Sequence, residues 1–124
     1  MKHLLIFAFL LVAFVDKASS QNDTTKASFG NYPDIQEYVQ RNIIYPFQAI
    51  EKKIRGTVEY KIRINKSGCL DSIVIITNPH DLLTNEVKRV ISETDCKWTP
   101  AYYKNEPIDS WINTKAVYMI KGKK

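Results

Sequence analysis

From Thr57 to Ile64 polar and apolar residues alternate without a break. Val58, Tyr60, Ile62 and Ile64 fall on one side, Thr57, Glu59, Lys61 and Arg63 on the other. A period of two is the signature of a strand with one buried and one wet face. Such a strand cannot stand alone, and the next residues supply its neighbour. Asn65-Lys66-Ser67-Gly68 reads as a tight turn, with Gly68 at the position that needs a positive φ. Leu70 to Thr77 (LDSIVIIT) is rich in β-branched residues and reads as an antiparallel partner, ended by Asn78-Pro79.

Helical periodicity surrounds this hairpin. Pro33-Asp34 opens a first helix, with Asp34 as N-cap, Glu37 at capping-box spacing, and Ile35, Tyr38, Val39 and Ile43 at helical intervals. It ends by Tyr45, because Pro46 disfavours helical geometry in the residue before it. Pro46 to Lys53 reads as a short second helix with Phe47, Ile50 and Ile54 as its apolar stripe and Gly56 as C-cap. A third runs from about Leu82 to Thr94 on Leu83, Val87, Val90 and Ile91, capped by Asp81 or Thr84. The stretch KWTPAYYKNEP reads as a loop. A last strand runs from Ile112 to Ile120, with Ile112, Ala116, Tyr118 and Ile120 on one face. The order is helix, helix, strand, strand, helix, strand. The economical packing is α+β: a small three-stranded antiparallel sheet with the helices on one face.

The N-terminus carries a different kind of signal. Leu4 to Val15 is an unbroken apolar run, shorter than the roughly 20 residues that span a bilayer. Ala18-Ser19-Ser20 places small residues where signal peptidase requires them, so residues 1–20 read as a signal peptide cleaved before Gln21, with an uncleaved short anchor as the alternative. Residues 21–31 read as a polar, flexible lead-in and residues 32–124 as one domain. The net charge of +5 is spread along strands and forms no block, which argues against nucleic acid as a partner.

Two cysteines, Cys69 and Cys96, remain after the leader. Each could serve as nucleophile, metal ligand, buried small hydrophobe or half of a crosslink. An oxidising compartment favours pairing. The fold favours it too: the second strand starts at Cys69, the third helix returns along it, and Cys96 lies just past the helix end. A Cys69–Cys96 disulfide is the expectation. His80 reads as a solvated loop residue, and no third residue orients it for nucleophilic catalysis with a cysteine. No ligand set has zinc spacing, no glycine-rich loop cradles phosphate, and no carboxylate pair suggests acid–base chemistry. The reading is therefore no enzyme, no cofactor, no metal and no small-molecule substrate. Trp98, Tyr102, Tyr103 and Trp111 either cover the end of the core or form a binding platform.

The ordered set Tyr45-Pro46 with Ala49, Gly56-Thr57-Val58, Asn65 to Gly68, Leu83 to Ile91, Trp98 with Pro100, and Asn105 to Pro107 before the final strand resembles the C-terminal domain of TonB, the energy transducer of Gram-negative envelopes. The likeness covers about Tyr32 to Ile120. It implies a periplasmic protein-binding module that engages the extended TonB box of an outer-membrane receptor by strand addition. Carried onto this chain, the docking edge is Asn113, Thr114, Lys115, Ala116, Val117, Tyr118 and Met119. The flanking contact segment is Arg41, Asn42, Ile43, Ile44 and Tyr45. A long Pro-rich spacer does not separate the apolar leader from the domain, so the resemblance implies binding rather than energy transduction. The alternative is an envelope protein that uses the same strand to pair with a second copy of itself, as a homodimer or regulator.

Overall fold

The structure is a computed structural model and describes residues 23–120, so the leader and its cleavage site lie outside the described residues. Its elements, in chain order, are β1 (Thr24–Thr25), α1 (Ile35–Asn42), α2 (Phe47–Glu51), β2 (Gly56–Ile64), β3 (Leu70–Thr77), α3 (Asp81–Ser92), β4 (Ala101–Tyr103), β5 (Glu106–Ile108) and β6 (Ser110–Tyr118). The principal sheet has the order β3-β2-β6, antiparallel throughout. The alternating strand at its centre is buried at Val58, Tyr60, Ile62 and Ile64. Those side chains meet Ile35 and Val39 of α1, Ala49 of α2 and Leu83, Val87, Val90 and Ile91 of α3 in one core. The opposite face of the sheet carries Lys61 and Arg63 from β2 with Trp111 and Asn113 beside them on β6.

The helices begin where side chains can satisfy free backbone N–H groups. Asp34 caps α1 by accepting from Gln36 N–H at 2.9 Å. Glu37, at the capping-box position, instead pairs with Arg41 at 2.9 Å. His80 is the N-cap of α3, its Nδ1 accepting from Leu82 N–H at 3.0 Å. This corrects the expectation that Asp81 or Thr84 caps the helix, while His80 itself is exposed just ahead of it, as a solvated loop residue should be: an imidazole nitrogen can take the place of the usual cap oxygen. α2 is shorter than the sequence suggests, because Lys53 turns the chain at φ 57.

The expectation of a single three-stranded sheet is corrected by a second one, of order β1-β4-β5. Its central and outer strands come from the stretch read as a loop, and β1 comes from the polar residues ahead of the first helix. β4 and β5 form a hairpin across Lys104 and Asn105, both at positive φ (49° and 68°) as a two-residue turn requires. Three-residue strands are too short to show a period, which is why the sequence does not reveal them. The bridge between Ser28 and Thr99 and the packing of Phe29 on Trp98, with ring centroids 5.4 Å apart, tie this sheet to the core.

Cys69 and Cys96 are joined by a disulfide. Next to it, Trp98 N–H donates to Gly68 O at 3.2 Å, and the Trp98 indole N–H donates to Thr94 Oγ1 at 2.9 Å. The hairpin turn and the end of α3 are thus joined covalently and by hydrogen bonds.

Candidate functional site: the open edge of β6

The principal sheet has two outer strands, β3 and β6, and they differ in regularity. β3 pairs with β2 through two register breaks, between Glu59 and Tyr60 and between Arg63 and Ile64. Bulges of this kind twist an edge and make it a poor template for a further strand. β6 pairs with β2 over nine consecutive residues with no break. Its start is pinned to the hairpin by Asp109, which takes Arg63 at 2.8 Å and Lys66 N–H at 2.9 Å. Arg63 also pairs with Asp71 on β3.

In an antiparallel ladder, successive residues turn their N–H and C=O groups alternately toward and away from the partner strand. Val117 fixes the phase. Its N–H donates to Gln40 Oε1 at 2.6 Å and its C=O accepts from Gln40 Nε2 at 3.1 Å, so both groups point away from β2. By alternation, the groups of Lys115, Asn113 and Trp111 point the same way. Among the described residues no hydrogen bond occupies them. Beside the first half of this edge lies a cavity of about 490 Å³ between β6 and the segment leading into α1. Its walls include Phe29, Tyr32, Trp98, Ser110, Trp111 and Asn113. The Ser110 hydroxyl is buried there without a hydrogen-bond partner among the described residues.

The seven residues expected on the edge divide by environment. Asn113 and Lys115 are exposed, Thr114 and Val117 are half-buried, and Ala116 and Tyr118 belong to the core. Met119 lies beyond the strand and is exposed. The Tyr118 hydroxyl donates to Leu83 O at 3.0 Å, and burial pushes its pKa up. The flanking segment sits at the far end of β6. Tyr45 meets Tyr118 edge-on with centroids 5.2 Å apart, and its hydroxyl donates to Ile54 O. Asn42 Nδ2 donates to Tyr38 O at 2.7 Å, and Ile43 N–H closes α1 on Val39 O at 2.9 Å. Ile44 N–H donates to Glu86 at 2.6 Å while its side chain stays exposed. Arg89 also bonds Glu86 and, with the Ile44 N–H, holds that carboxyl below the ordinary glutamate range against the opposing effect of burial.

Gln40, the residue that touches the edge, lies one position before the expected flanking segment. A glutamine on the polar side of a helix carries no sequence signal for such a role. The aromatic residues divide as well: Trp98 is in the core, while Trp111 is exposed with the Lys61 ammonium 4.7 Å from its ring centre.

Chemistry other than binding finds little support. Cys69, Asp95 and Cys96 form a cluster close enough to hold a metal, but both sulfurs are spent in the disulfide and offer no thiolate. No helix among the described residues is long and apolar enough to cross a membrane. Comparison with curated proteins finds no match. Residues 41–120, which run from the end of α1 through β6, match the family described as Gram-negative bacterial TonB protein C-terminal, and the chain belongs to that family of non-enzymatic protein-binding modules of TonB-dependent transport.

Proposed function

We propose that the chain binds an extended segment of a TonB-dependent outer-membrane receptor, in the periplasm, by adding that segment as a strand to the edge of β6. The observation that carries this reading is the uninterrupted register of β6 together with the unpaired outward groups of Trp111, Asn113 and Lys115. A regular row of donors and acceptors gives an extended peptide its affinity, and neighbouring pockets give it selectivity. The cavity supplies such a pocket: a strand laid against Trp111 and Asn113 crosses its mouth and can turn a side chain toward Phe29, Tyr32 and Trp98. Pairing of the edge with a second copy of the chain is the competing outcome.

The test is titration of the folded chain with a labelled peptide from the periplasmic N-terminal segment of such a receptor, using wild type, Lys115→Ala and Lys115→Pro. The Lys115 N–H points outward, so proline there removes a docking donor without breaking the ladder to β2. Lys115→Ala should bind like wild type. Lys115→Pro should keep its melting temperature within a few degrees and lose about tenfold or more in affinity. A folded Lys115→Pro chain that binds unchanged excludes strand addition at β6.

A further inference from the structure

The Gln40–Val117 contact is a side chain acting as a strand. A carboxamide has the donor and acceptor of a peptide unit, and here both engage the backbone of one edge residue, at 3.1 and 2.6 Å. Helix α1 holds the group in place. Val39, its neighbour, is fully buried in the core, and Asp34 caps the helix start. Tyr45 against Tyr118 and the Ile44–Glu86 bond fix the chain just beyond the helix. Any strand extending along β6 past Lys115 meets two satisfied hydrogen bonds where it needs two free groups.

We propose that the Gln40 carboxamide is a built-in stop for strand addition: it closes the C-terminal end of the β6 edge and confines a docked strand to backbone pairing with Trp111, Asn113 and Lys115. The inference rests on the strand-addition reading and adds the length and register of the bound segment. The open end of the edge lies at the cavity and the closed end at Val117, so the docked strand is anchored in register by the position of Gln40. A peptide segment of about five residues fills the available edge.

Amide hydrogen exchange of the folded chain tests this with Gln40→Leu, whose apolar side chain ends one atom short of the amide and removes the pairing, and with Gln40→Glu, which keeps an acceptor for Val117 N–H but no donor for Val117 C=O. The probe is a linear peptide selected on the wild-type chain from a random-sequence display library. In the wild type the Val117 amide is protected before peptide is added, and the peptide slows exchange at Trp111, Asn113 and Lys115 only. In Gln40→Leu the Val117 amide of the free chain exchanges about tenfold faster, and peptide now protects it too. Gln40→Glu keeps Val117 protected in the free chain and does not lengthen the footprint. Unchanged Val117 exchange in Gln40→Leu overturns the proposal, as does a wild-type footprint in which the Gln40 side-chain amide is released. A peptide that slows no β6 amide overturns strand addition itself and the stop with it, while faster Val117 exchange in the free Gln40→Leu chain shows that the contact still existed.

Discussion

Gly68 stands at φ +82, and a Cβ built on it falls 2.3 Å from the carbonyl oxygen of Trp98. Both the backbone conformation and the close approach therefore require glycine. Gly68→Ala should cost about 2–4 kcal/mol, read as a lowered denaturation midpoint, because the clash is with backbone that the adjacent disulfide holds in place. The turn was legible in the sequence, but the Trp98 contact was not, since it joins residues brought together only by the return of α3. Tyr60 is a contrasting case. It is fully buried, with Asp34 and Thr114 nearby, yet its hydroxyl has no hydrogen-bond partner among the described residues, and burial raises its pKa. Tyr60→Phe should be neutral or stabilising by up to about 1 kcal/mol, since it removes an unsatisfied polar atom and keeps the ring. A loss of stability on that substitution would show that the hydroxyl has a partner. Glu86 links the segment before Tyr45 to α3. Its folded-state pKa is lowered, chiefly by the Arg89 hydrogen bonds, so its contribution is complete above the unfolded-state value and disappears as pH falls through the lowered one. Denaturant midpoints across an acid series should show that loss in the wild type, and a smaller one in Glu86→Gln, whose amide oxygen still accepts from Ile44.

At the scale of elements, legibility follows length. The eight alternating residues from Thr57 to Ile64 identified β2, and four apolar residues at helical spacing identified α3, because each pattern repeats enough to exclude the other period. β1, β4 and β5 span two or three residues each and take their order from Phe29, Trp98 and the bridge at Ser28. No local pattern encodes such pairings. The disulfide was legible because strand and helix directions already placed its cysteines at one end of the domain. It closes a span of 27 residues, and the chain-entropy account gives it about 3.5 kcal/mol. The Cys69→Ala/Cys96→Ala variant should lose about that much in chemical denaturation, with β6 unchanged. If peptide affinity fell along with stability, the docking edge would depend on the staple, contrary to its separate attachment through Asp109 and Arg63.

For the molecule as a whole, the β6 edge and the exposed apolar side chains of Ile44, Phe47 and Ile50 are two surfaces open to a second copy. Both are small. With Val117 occupied by Gln40, the open edge runs from Trp111 to Lys115, about 17 Å of strand. A stable protein–protein interface covers roughly 800 Å² on each partner, far more than one short ladder or three side chains supply. The chain should therefore sediment as a monomer across a hundredfold range of concentration around the micromolar. The same size bounds the affinity for a receptor segment: a short ladder with one side-chain pocket implies a dissociation constant near the micromolar range, suited to repeated engagement and release. A tight dimer in which the amides of Asn113 and Lys115 are protected would move the balance to self-association. A dimer disrupted by Phe47→Lys, with those amides still exchanging freely, would leave the β6 edge open to a peptide and assign the apolar face to the second copy.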